Sequence, residues 1–220
     1  MPRGHLLRAI WFLAAKDLVG ELRARRAWPA MLFLGLVLVV LIELQLDLPI
    51  DEKQGVICGL LWLDVFFAGT LALERSMAGE REEGCWRTLL LYPISPSVVF
   101  VAKLAVNFVA LVLLELVLIP AFVIFANAPL AAHPLMLGSV ILLGNLGFVA
   151  VGVVASALTS HAQRGGLLAL ILLPLLTPVL VGAAQATRLA MIGSAGDEWW
   201  SWLQLLGAFS VLYTALGFVL

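Results

Sequence analysis

Long apolar runs separated by short polar stretches set the pattern of this chain. At about 20 residues per helical crossing, spans can be drawn from about Trp28 to Leu46, Gly55 to Leu73, Val98 to Phe125, Leu135 to Leu158, Leu167 to Ala186 and Trp199 to Leu220. They predict an all-α integral membrane protein with six transmembrane helices, folded as a single domain over residues 1–220. The second run is the weakest because it carries Asp64. The third is long enough to tilt or to break at Pro120.

Residues 1–27 follow a different pattern. Leu7, Trp11, Ala14, Leu18 and Leu22 recur at helical spacing with Arg8, Lys16 and Arg23 to one side, the layout of an amphipathic helix lying in the membrane interface. Ile10, Phe12 and Leu13 widen the apolar face, so part of it can also tuck under the bundle. Lys16, Asp17, Glu21 and the Arg23 to Arg26 cluster follow the short run Ala9 to Ala15 at once, where a cleaved signal would carry small residues. The reading is a retained surface helix.

Residues 74–97 form a charged, glycine-flanked insert between the second and third runs. Glu80, Arg81, Glu82, Glu83 and Arg87 fall within about two helical turns, punctuated by Gly79 and Gly84. Trp86 and Leu89 to Leu91 supply apolar anchors, and Pro93 and Pro96 stop a helix before the next span. The spacing predicts a short cytoplasmic helix that a soluble partner can grip. A solvated loop is the other reading of the same charges.

Composition agrees with the runs and adds an orientation. Hydrophobic residues make up 63% of the chain and charged ones only 12%, against roughly a quarter in soluble domains. Of the thirteen Lys and Arg residues, eleven (Arg3, Arg8, Lys16, Arg23, Arg25, Arg26, Arg75, Arg81, Arg87, Lys103 and Arg164) fall on one side of the predicted spans, and only Lys53 and Arg188 on the other. Cationic short loops stay in the cytoplasm, so both termini and the insert are expected there. The near-neutral net charge gives no sign of a nucleic-acid partner.

Candidate chemistry is sparse. A phosphate-binding loop needs Gly directly before Lys, and Lys16, Lys53 and Lys103 follow Ala, Glu and Ala. If ATP drives this protein, another chain binds it. Cys58 and Cys85 fall on opposite sides of the membrane by this topology, too far apart for a disulfide, and no CxxC or metal-ligand spacing exists. His5 and His161 are placed at the cytoplasmic face and His133 at the outer mouth of the fourth span. An imidazole can ligate a metal, but these three cannot form one pair within a subunit, and loop or interface roles are preferred.

Trp199, Trp200 and Trp202 open the last span at the outer interface, where indole rings gather; an aromatic stacking face is the sharper alternative. Gly138, Gly144, Gly147, Gly152 and Ser156 stud the fourth span and permit close helix approach. Pro174 and Pro178 predict a kink in the fifth.

Asp64 and Glu115 are the deep carboxyls. Counting along the spans puts Asp64 about 13 Å below Gly55 and Glu115 about 25 Å above Val98, both in the outer half. A charge at such depth costs about 2.5 to 3.5 kcal/mol on insertion scales and usually faces protein or a wet cavity. Both are expected to face the bundle interior or the subunit interface rather than lipid, with one or both donating hydrogen bonds to Asn107, Asn145 or Gln185. Packing is the preferred role, and a wet route or switch the alternative.

The run EREEGCWRTLLLYPISPSVVFVAK resembles the coupling segment of bacterial export permeases of the ABC-2 type. LALERSMAGEREEG followed by LLLYPISP and AK, with the later QRGGLLALILLPLLTP, is similar to the cytochrome c maturation protein B family, the permease subunits of a haem exporter. The similarity extends from KDLVGELR near the start through the short loop His161 to Gly166 and the double-proline span. It implies an ABC-2-type permease domain in the bacterial inner membrane, working as a homodimer on a separate ATP-binding cassette ATPase. A tryptophan-rich haem-handling subunit and a small single-span subunit would dock beside it.

By the same resemblance, Glu80, Arg81, Glu82, Glu83, Gly84 and Arg87 take the coupling role. Haem is handled or transported rather than held as a stable cofactor, and ATP is bound by the partner. No catalytic residue carries over. A permease for a lipid, polysaccharide or drug, and an assembly subunit that passes no substrate, are the rival functions.

Overall fold

The computed structural model describes residues 33, 35–37, 39–40, 50–82, 96–159 and 167–219, with side chains over 53–74, 97–156 and 168–219 as well as in the first group. Five long helices account for nearly all of this: α1 (Ile50–Glu82), α2 (Pro96–Phe125), α3 (Pro134–Thr159), α4 (Leu167–Ile192) and α5 (Asp197–Val219). Each contains a stretch long and apolar enough to cross a membrane, and no strand occurs among the described residues. In the first predicted run, Phe33, Gly35 to Val37, Val39 and Val40 are helical. The rest of that run and residues 1–27 lie outside the described residues. "Inner" and "outer" below follow the charge asymmetry.

The helix ends follow local chemistry. Pro96 and Pro134 open α2 and α3, at the position where a missing N–H costs nothing and a fixed φ favours the helix. Asn127, with φ 48, follows α2, and Gly193, with φ 71, follows α4; Asn and Gly are the residues that tolerate this left-handed geometry. At α4 the full motif forms, with the Gly193 N–H bonded to the Ala190 carbonyl at 3.3 Å and the Ser194 N–H to the Leu189 carbonyl at 3.0 Å. Asp197 and Glu198 fill the first turn of α5, where negative charge complements the helix dipole.

Two expectations change. Helix α1 continues through Gly79 to Glu82, so the first part of the insert prolongs the span instead of starting a separate helix at Gly79. An interior Gly costs a helix only about 1 kcal/mol, and the preceding turns are already formed. Helices α2 and α4 also run without interruption past Pro120 and past Pro174 and Pro178. Of the two outcomes expected for the third run, the break at Pro120 does not occur, and the expected kink at Pro174 and Pro178 lies within one continuous helix.

Helix α3 is the hub, touching each of the other four, while α1 lies against α2, α3 and α4. The crossing stretches of α1 and α3 are each 67% buried against 22% for α5, so α5 presents most of its apolar surface outward. Small residues on α3 set the approach to α1. A Cβ on Gly144 would strike the Trp62 ring, and one on Gly152 would strike Leu73. Phe66 and Phe148 fill the space between, in edge contact with centroids 6.3 Å apart.

Candidate functional site

The packing contacts fix how the helices line up. Helix α1 runs parallel to α3, with Trp62 at Gly144, Gly69 at Phe148 and Leu73 at Gly152; it runs antiparallel to α2, with Gly69 also at Leu111. Asp64 and Asn145 lie between the first two of those levels. Asp64 is the twelfth of the 22 residues in the span Lys53–Glu74, and Asn145 the twelfth of 23 in Pro134–Ser156. Both are at mid-span, so Asp64 sits deeper than the outer-half position counted from Gly55, because its helix starts earlier and ends later than the apolar run.

Glu115 joins the same layer through Asn145, whose Nδ2 donates to Glu115 Oε2 at 2.6 Å. The donor direction is the reverse of the one expected, with the carboxyl accepting. All three residues are buried. Among the described residues Asn145 Oδ1 and both oxygens of Asp64 have no hydrogen-bond partner. Asp64 is covered instead by Gly35 of the first apolar run, where a Cβ would land on its Oδ2 and on Leu118 of α2. Asn107 stands apart, donating to the Lys103 carbonyl at 2.8 Å, and Gln185 Oε1 accepts from Arg188 Nε at 3.2 Å. The structure therefore brings Asp64, Glu115 and Asn145 to one level and leaves Asn107 and Gln185 elsewhere.

A second group of polar contacts runs from just outside this layer to the outer ends. Trp62 Nε1 donates to Thr187 Oγ1 at 2.9 Å, and the Cys58 thiol lies 3.2 Å from the Met191 sulfur. His133 Nδ1 is 3.0 Å from the Ala190 carbonyl, joining the loop before α3 to the end of α4. Neither the Trp62 nor the His133 contact is foreseeable from local spacing, since each joins residues more than a hundred or fifty positions apart. The one local signal is Gly193, whose left-handed turn ends α4 beside the His133 ring.

The three tryptophans do not share a face. Trp199 is only 6% exposed and Trp200 is 55% exposed, their rings in edge contact at 5.1 Å. Trp202 packs against the core beside Gly182.

At the inner end, Glu80, Arg81 and Glu82 are carried on the last turn of α1. Glu83, Gly84 and Arg87 lie outside the described residues, as do His5, His161 and Cys85. Among the described residues no group of three His, Cys, Asp or Glu side chains could hold a metal ion.

The arrangement is that of a bundle of apolar helices with one polar layer at mid-span. The chain is 31% identical over 157 residues to heme exporter protein B of Pseudomonas aeruginosa, covering 71% of this chain and 70% of that protein. It is 29% identical over 184 residues to heme exporter protein B of Rhodobacter capsulatus, covering 83% and 84%, and 30% identical over 159 residues to that of Paracoccus denitrificans, covering 72% and 71%. The family model described as CcmB protein matches residues 8–218, and the chain accordingly belongs to the CcmB protein family.

Proposed function

We propose that this chain is the membrane permease subunit of an ATP-driven haem-export and cytochrome c maturation complex. The observation that carries the reading is the match of the family model along residues 8–218, joined to relatives named for heme export. Five apolar helices with few interior charges suit a transporter subunit rather than an enzyme. In the full topology the first run adds a sixth crossing, residues 1–27 lie in the interface, and both termini face the cytoplasm of a bacterial inner membrane.

A separate ATPase supplies the energy, gripping the segment 74–97 through Glu80, Arg81, Glu82, Glu83, Gly84 and Arg87. The subunit works as a homodimer beside a tryptophan-rich haem-handling subunit and a small single-span subunit. Trp62, Phe66, Phe122 and Phe148 are all fully buried, which supports a haem route along a bundle face or between subunits rather than through one chain.

The test is charge reversal of Glu80, Glu82 and Glu83 to Lys. Like charges at an interface rim cost up to several kcal/mol and upset encounter and register. Cells carrying the triple variant are expected to insert this subunit normally and to lose c-type cytochromes. Maturation at the wild-type rate would return the segment to a solvated loop.

A further inference from the structure

His133 is held as a ligand is held. A carbonyl oxygen can only accept, so the 3.0 Å contact with the Ala190 carbonyl places the ring proton on Nδ1. In the neutral ring, Nε2 then carries the lone pair. A histidine bonded through one nitrogen to a backbone carbonyl, with the other left to bind, is the arrangement that orients metal-ligating imidazoles. The carbonyl belongs to the last turn of α4, where the negative end of the helix dipole strengthens the imidazole as a donor of electrons.

The ring is also braced. It lies so close to Gly193, at φ 71, that a Cβ there would come within 2.6 Å of Cε1 and 2.7 Å of Nε2. Gly193 therefore both ends α4 and makes room for the imidazole.

The surroundings discriminate between possible ligands. A bare metal ion needs three or four protein donors, and no such group exists among the described residues. A metalloporphyrin brings four nitrogens of its own and needs a single axial ligand. It also needs apolar surface for its ring, and Leu135, two residues beyond His133, is 90% exposed, while Ile192, adjoining Gly193, is 55% exposed. Trp200, three residues into the helix that follows the same turn, is exposed to a similar extent. By the charge-based orientation this patch lies at the outer interface, the level at which a planar apolar ring with a charged edge settles in lipid.

On the haem-export reading above, we propose that His133 Nε2 is an axial ligand for haem held at the outer membrane interface against Leu135 and Ile192. Haem would be bound here from the side, without entering the packed interior.

The full-length chain in lipid nanodiscs, titrated with ferric protoporphyrin IX and followed by its Soret band, tests the site. Wild type is expected to give the spectrum of histidine-ligated iron. His133→Asn retains an amide that can donate to the Ala190 carbonyl, so thermal stability should hold while the ligated spectrum disappears and binding weakens at least about tenfold. His133→Gly should regain the band when free imidazole is added. A wild-type spectrum in His133→Asn would reduce His133 to a clamp between two loops and overturn the proposal. So would binding of zinc chloride alone with the same affinity and the same dependence on His133, since the site would then select a metal ion and not a porphyrin. The charge-reversal test at the inner end reads cytochrome yield and not this spectrum, so the two readings can fail separately.

Discussion

Asn145 points its Nδ2 at Glu115 and leaves its own Oδ1 without a partner. Glutamine at position 115 could accept the same bond and also donate to that Oδ1, closing a two-bond amide pair. Polar contacts between membrane helices average about 0.6 kcal/mol, so Glu115→Gln should match wild-type stability within that margin and support normal cytochrome maturation. Asn145→Leu removes the hydrogen-bond donor that meets a buried carboxyl and should cost about 1 to 3 kcal/mol, read from reversible unfolding in mixed micelles. Asp64 differs because neither oxygen has a partner among the described residues. Asp64→Asn is expected to assemble normally and to lower c-type cytochrome yield in haem-stained gels. Full yield in that variant would make Asp64 a packing group after all.

At the scale of elements, the continuity of α1 from Ile50 to Glu82 joins the membrane span to the charged inner segment. Gly79 lies within the stretch that does so. Gly79→Ala should leave maturation unchanged or raise stability slightly, as Ala is better than Gly in a helix interior by about 0.8 to 1 kcal/mol. Gly79→Pro removes a donor and clashes one turn back; it should leave the protein inserted while ATPase activity of the complex no longer yields cytochromes. Equal maturation in both variants would show that helical continuity does not matter there.

The spans themselves were legible because apolar runs of that length have few other uses, and α2, α3 and α4 begin within two residues of the expected positions. The extension of α1 was not, since glycine and clustered charge read as punctuation while helix continuity depends on turns already formed. The polar layer was half legible. Asn145 stood among the expected partners of the carboxyls, but its pairing with Glu115 rather than Asp64 depends on how α2 and α3 align. The His133 clamp needed tertiary contact and had no pattern in the sequence.

For the whole molecule, orientation is open to chemistry through its two thiols. Cys58 is fully buried, so an impermeant maleimide applied to intact cells should label neither cysteine. Permeabilised cells should label Cys85 alone, with Cys58 reacting only after denaturation. Labelling of Cys85 from outside would reverse the topology. A mechanical consequence also follows from the length of α1. At 1.5 Å per residue its 33 residues measure about 50 Å, against a hydrocarbon core of about 30 Å. Asp64 divides that rod into an inner arm of roughly 27 Å and an outer arm of roughly 21 Å. If the tight contacts at mid-span act as a fulcrum, a 4 Å sideways pull at Glu82 would swing the outer end about 3 Å the opposite way, so one rigid see-saw would report ATP turnover on one side of the membrane as displacement on the other.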